Sequence, residues 1–142
     1  MKIDPAVIGS TSEAVLIEVE KGAIRAFANA IGDDNPLFTD EAYARQQGFK
    51  SIVAPPTFPT TFRVPNKNVR FELSRVLHGE QEYSYVRPIV AGDVLRCVSR
   101  VADVYEKEGK QGGAMTFLVS EVRGEDEEGQ LVFTGRSTVI LR

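Results

Sequence analysis

The sequence has one cysteine, Cys97, and one histidine, His78. A lone cysteine excludes an internal disulfide, and in the apolar run around it Cys97 reads as a small core residue rather than a nucleophile. One imidazole and one thiol are too few to build a nitrogen and sulfur metal site, so neither a metal nor a cofactor is expected. Basic charge is short as well: 17 Lys and Arg stand against 20 Asp and Glu, a net charge of −3. That balance argues against a nucleic-acid partner, which would call for a basic face. No apolar run approaches the roughly 20 residues of a membrane span. Behind Met1-Lys2-Ile3-Asp4-Pro5 there is no apolar core of a signal peptide, so a cytoplasmic chain without a membrane partner is the expectation. Internal repeats and low-complexity segments are absent too. What is there, 142 residues of which 42% are hydrophobic, suits one domain, 1–142, around one core.

The densest stretch is Ala30-Ile31-Gly32-Asp33-Asp34-Asn35-Pro36-Leu37-Phe38. Before it, Ile24, Phe27, Ala28 and Ile31 recur at helical spacing, so Lys21 to Ile31 reads as an amphipathic helix that Gly32 stops. After it, Asn35-Pro36 has the form of an N-cap followed by proline at the first helical position, and a second helix is expected from there to Gly48. Asp33 and Asp34 then sit on a bend between helices. One reading makes them turn and cap residues facing the positive end of the second helix. The other gives Asp33 a chemical role.

Further along, Ile52-Val53-Ala54-Pro55-Pro56-Thr57-Phe58-Pro59-Thr60-Thr61-Phe62 holds three prolines in five positions. Proline fits a first helical turn but not a helix interior, so any helix here begins near Pro56 or Thr57 and is short or interrupted. Val64 to Lys67 reads as a loop, and Val69 to Leu77 as a short helix with Val69, Leu73, Val76 and Leu77 inward. Ser12 to Glu20 alternates in the manner of a strand. From His78 onward the pattern is β: a run carrying Tyr83, Tyr85 and Arg87 that stops at Pro88, then Val94–Glu106, Ala114–Arg123 and Leu131–Leu141, separated by glycine-rich and acidic turns. A strand, helices and then an antiparallel meander make an α+β architecture. Apolar residues on both faces of these strands call for a covering helix on one side and a second subunit on part of the other.

Gly32-Asp33-Asp34-Asn35-Pro36-Leu37-Phe38, Ala54-Pro55-Pro56-Thr57-Phe58 and Glu82-Tyr83-Ser84-Tyr85-Val86-Arg87-Pro88 together resemble the MaoC-like dehydratase family, and within it the N-terminal MaoC-type (FAS1-like dehydratase) domain. That group includes the subunits of (3R)-hydroxyacyl-carrier-protein dehydratases that lack the catalytic dyad. The resemblance implies a hot-dog fold, an antiparallel sheet wrapped around a central helix that is short or interrupted here. It also implies an enoyl-thioester hydratase or 3-hydroxyacyl dehydratase of fatty acid metabolism.

Syn addition of water to an enoyl thioester needs a base on the water, a proton donor to the α-carbon and donors on the thioester oxygen. In the family an aspartate and a histidine five residues later hold the water, and a helix N-terminus supplies the N–H. The aspartate falls on Asp33, and Asn35 is expected to organise the bend. The histidine position holds Phe38, and the glycine that gives the N–H falls on Pro55, which has none. A lost general base costs about 10²–10⁴ in rate and a lost oxyanion donor about 10²–10³. His78 is the one imidazole that could substitute, although at the head of a strand it reads first as solvated. Tyr85 and Arg87 read as sheet packing and an ion pair, while Thr57 and Phe58 are expected at the substrate.

The resulting expectation is a dyad-poor, chain-binding subunit that takes acyl-CoA or acyl-ACP thioesters. Its partner would be a second copy, or a MaoC-like protein with an intact dyad. The alternatives are a non-catalytic acyl-CoA or lipid-binding homodimer and a hot-dog thioesterase.

Overall fold

The computed structural model of the chain describes residues 3–142. Five antiparallel strands build one sheet: β1 (Val15–Glu18), β2 (Val76–Tyr85), β3 (Val94–Glu108), β4 (Ala114–Glu125) and β5 (Leu131–Leu141). Their order is β1-β3-β4-β5-β2. β3 to β5 form the anticipated meander, but β2 docks on the far side of β5 rather than beside β3. Between β1 and β2 the chain runs through the helices α1 (Lys21–Ala30) and α2 (Glu41–Gln46). The result is the α+β hot-dog arrangement, with helices and loops packed against the inner face of a curved sheet.

α1 forms for the reason its spacing gives: Ile24 and Ala28 are fully buried against the sheet. Gly32 ends it in the left-handed region at φ 71°, where a glycine pays no Cβ penalty. The second helix differs from the expectation. Asn35 caps only the 3-10 turn Pro36–Phe38, and Asp40 then accepts from the Tyr43 N–H at 3.1 Å to start α2 afresh. A second capping side chain therefore splits one predicted helix into two pieces.

The short helix expected over Val69–Leu77 is a single 3-10 turn, Leu73–Arg75, because Val76 and Leu77 are taken into β2 opposite Leu141 and Ile140. Cross-strand pairing overrides a local helical pattern there. The proline-rich segment likewise yields only the 3-10 turn Phe58–Thr61. With Pro59 inside that turn and Pro65 just beyond it, neither residue has an N–H to continue a helical ladder.

Buried apolar residues fall into two clusters. The larger joins α1, α2 and Phe58 to Leu95, Cys97 and Phe133; the smaller gathers Ile3, Val101, Val104, Leu118 and Leu141. Cys97 is fully buried, and burial pushes its thiol up to about 11. It is a core residue. Among the described residues no helix is long and apolar enough to cross a membrane.

Candidate functional site

The bend after α1 is held by its own short side chains. Asp33 donates its N–H to the Ala28 carbonyl at 3.0 Å, and its Oδ1 accepts from the Asn35 N–H at 3.1 Å. Asn35 Oδ1 in turn accepts from the Leu37 N–H at 3.0 Å. Two consecutive turns of this kind fix the path into Pro36–Phe38, and each acceptor satisfies an otherwise open N–H. Asp33 and Asp34 are both exposed.

Backbone bonds then stitch this turn to two later segments. Leu37 O accepts from the Val53 N–H at 2.8 Å, and Ile89 O from the Ala54 N–H at 2.8 Å. Val53 also bridges to Val90. Three segments distant in sequence are thereby brought together around a cavity of about 410 Å³, walled by Asn35, Phe38, Ala54, Pro56, Tyr85 and Arg87. Phe38 is only 6% exposed and belongs to the main core cluster. The position expected to carry an imidazole is a wall of hydrocarbon.

The strand pattern makes Tyr85 a sheet-packing residue. It lies at the C-terminal end of β2 and donates its hydroxyl to the Pro56 carbonyl. Burial, with the neighbouring Tyr83, pushes its phenol up to about 12, so it is a neutral donor throughout the physiological range. Arg87 sets its guanidinium against Asp93, the residue just before β3. Asp93 is buried and anchors the rim of the site.

Supply of backbone donors is sparse across Ala54–Phe58. Pro55 and Pro56 have no N–H, Ala54 gives its own to Ile89 O, and Phe58 gives its own to Pro55 O at 2.9 Å. That leaves the N–H of Thr57, an exposed residue. Pro55 itself is fully buried. Phe58, expected at the substrate, is instead packed edge-on between Phe27 and Phe62, with ring centroids 5.6 Å away on each side. At 3% exposure it is a core residue that lines neither this cavity nor the inner one described below.

His78 is brought nowhere near Asn35 and Phe38. It is exposed on β2 opposite Val139, seven residues before Tyr85 on the same strand. At about 3.3 Å per residue that separation is roughly 20 Å. Asn35 and Phe38 are assembled with Tyr85; Asp33 is adjacent in sequence but is not part of the cavity wall. Among the described residues no group of three His, Cys, Asp or Glu could hold a metal ion.

A second, inner cavity of about 280 Å³ lies under the sheet, bordered by Pro59, Phe62 and Val69 on the loop side and by Tyr83, Val101, Leu118 and Phe133 on the strand side.

The family profile described as FAS1-like, dehydratase domain region, matches residues 6–135. The chain belongs to this family. Curated members similar to it are the UPF0336 proteins of Thermobifida fusca, 35% identical over 88% of this chain and 84% of that one, and of Streptomyces griseus, 36% identical over 100% and 97%. Solved structures with the same fold include the C-terminally truncated HadBC (3R-hydroxyacyl-ACP dehydratase) complex of Mycobacterium tuberculosis, at TM-score 0.79 and 22% identity, covering 99% of each chain. The ChsH1-ChsH2 complex of the same organism superposes at TM-score 0.74 and 22% identity, covering 93% of this chain and 84% of that one. R-hydratase PhaJ1 of Pseudomonas aeruginosa does so at 0.66 and 18%, covering 94% and 81%. A MaoC-like hot-dog dehydratase family is thus the setting in which Phe38 and Pro55 have to be understood.

Proposed function

We propose that this chain is the catalytically deficient, acyl-chain-binding subunit of a cytoplasmic enoyl-thioester hydratase or 3-hydroxyacyl-thioester dehydratase. The observation that carries this reading is Phe38, buried in the wall of a preformed cavity beside Asn35 while the surrounding motif is kept. Hydration adds the water oxygen to the β-carbon and a proton to the α-carbon, with negative charge passing through the thioester oxygen. A base must take one water proton, and a phenyl ring cannot. The oxygen must meet N–H donors, and Pro55 and Pro56 have none. What this chain does supply is shape: an apolar wall that excludes water, the neutral hydroxyl of Tyr85, and space beneath the sheet.

A dyad-bearing MaoC-like partner would complete the site. β2 is an edge strand that offers it a place, since among the described residues β5 alone pairs with it. Val86 just beyond it is 70% exposed. Edge-to-edge addition of a second hot-dog chain would satisfy that edge and cover this apolar surface.

The test is hydration of crotonyl-CoA and of a longer enoyl-CoA, followed by loss of enoyl absorbance. It is run with the chain alone and then with a MaoC-like protein that has an intact Gly-Asp-X-Asn-Pro-X-His motif and is encoded beside it. Turnover only in the mixture is the expected result. Full turnover by the chain alone, abolished by Asp33→Asn, would overturn the proposal. Silence in both would favour a non-catalytic acyl-thioester-binding module.

A further inference from the structure

The two apolar clusters of the core are separated by a polar row that runs across the inner face of the sheet. On β2, Gln81 lies between Tyr83 and His78, which stands opposite Val139 across a register shift; on β5, Ser137 lies between Gly135 and Val139. On β4, Ser120 lies between Val122 and Leu118, and on β3, Ser99 lies between Cys97 and Val101. The register aligns them: Gln81 pairs with Ser137, Ser137 with Ser120, and Ser120 with Val101, one step along β3 from Ser99. All four line the inner cavity of about 280 Å³.

Ser99 is the sharpest feature of this row. It is 6% exposed, and its hydroxyl has no hydrogen-bond partner among the described residues. A buried hydroxyl without a partner is costly, and packed interiors do not keep one without a reason. If the cavity only had to accept a plain hydrocarbon, alanine would serve at this position better. If it holds only water, roughly nine molecules fill it at about 30 Å³ each, and a plain chain entering would strip their hydrogen bonds without replacing them.

We infer that the inner cavity selects an acyl chain bearing an oxygen function, a hydroxyl or a ketone, remote from the thioester, and that Ser99 is the residue that recognises it. This rests on the acyl-thioester reading above and narrows its substrate class. A chain entering past Thr60 and Phe62 meets apolar wall, then the Gln81-Ser137-Ser120-Ser99 row, then the Val69, Val101 and Leu118 wall. The ligand that matches this sequence of surfaces is apolar at both ends of its buried segment and polar between them. The Ser99 hydroxyl donates to a ligand ketone, or donates to and accepts from a ligand hydroxyl.

The test is equilibrium binding of lauroyl-CoA, its mid-chain monohydroxy and monoketo analogues and its ω-hydroxy analogue to the full chain and to Ser99→Ala, by titration calorimetry. A mid-chain oxygenated analogue is expected to bind the wild-type chain on the order of tenfold tighter than lauroyl-CoA. In Ser99→Ala that preference should fall to near unity, with lauroyl-CoA affinity and thermal midpoint kept or raised. Equal binding of plain and oxygenated chains by the wild type, or a preference that survives Ser99→Ala, would overturn the inference and mark the row as a water site, leaving the acyl-thioester reading intact. Binding of none of these esters would overturn both.

Discussion

Arg87 grips Asp93 with two charge-assisted bonds, Nη1 to Oδ2 at 2.8 Å and Nη2 to Oδ1 at 3.2 Å. Lys50 adds a third from Nζ to Oδ1 at 3.0 Å, and the Val90 N–H a fourth to Oδ2 at 2.8 Å. One buried carboxylate thus ties the segment after β2 to the start of β3 and to the loop after α2, and the first and last of these wall the cavity beside Phe38. Burial by itself would raise the Asp93 carboxyl, but Arg87, Val90 and Lys50 outweigh it and hold it below its ordinary value.

The consequence is a stability that depends on acid. A carboxyl lowered in the folded state contributes above its unfolded value, near 3.9, and that contribution is lost as pH falls through the lower folded value. Urea midpoints should therefore drop below about pH 4, and the drop should be shallower in Asp93→Ala. At neutral pH Asp93→Ala is expected to cost about 2 kcal/mol. That is less than the roughly 3–5 kcal/mol of a fully buried pair, because Lys50 and Arg87 face solvent.

Tyr85 gives the opposite pH dependence. Its phenol is raised to about 12 by burial and by Tyr83, so the folded state keeps a proton that the unfolded chain, near 10, releases. The contribution is complete below about pH 10 and is lost as pH rises toward 12. Tyr85→Phe should flatten the alkaline limb of stability against pH and cost about 1 kcal/mol at neutral pH through the bond to Pro56. A phenolate absorbance titration of wild type against variant reads the same group directly.

Gly124 is where the sheet allows no side chain. A Cβ there would lie 2.2 Å from Phe133 Cε1 and 2.7 Å from its Cδ1, so Phe133, 1% exposed in the core, would have to shift its ring. Gly124→Ala should destabilise by about 1–3 kcal/mol through overpacking, measured as a lower urea midpoint at unchanged m-value. A second substitution, Phe133→Leu, should recover part of the loss.

How much of this was legible in sequence follows from how local each cause is. The Asp33 to Phe38 bend was readable because glycine, Asx side chains and Pro36 act within a few residues of themselves. The split at Asp40 was not, since a second N-cap competes with the first only once Asn35 has committed to a single turn. Val76 and Leu77 left their helical pattern for β2 because Leu141 and Ile140, far along the chain, pair with them. The polar row of the inner cavity was invisible for a related reason. Ser99, Ser120 and Ser137 are ordinary strand serines until register places them side by side, and register is a property of pairs of strands.

Phe38→His asks whether the missing imidazole alone explains the proposed loss of activity. The substitution puts a ring nitrogen on the wall that Asn35 and Tyr85 share, at a cost of about 1–3 kcal/mol for a polar group in place of buried hydrocarbon. Asp33 would then stand five residues upstream, as the hydratase pattern requires. The thioester oxygen, however, would still face a segment in which Pro55 and Pro56 offer no N–H, and a single oxyanion donor is typically responsible for about 10²–10³ in rate. Phe38→His should therefore hydrate crotonyl-CoA at the edge of detection, while Phe38→His with Pro55→Gly should gain a further factor on the order of 10². If the single variant were as active as the double, the N–H of Thr57 would be the sufficient donor, and the prolines would be a feature of the fold rather than a ground for the proposed partner.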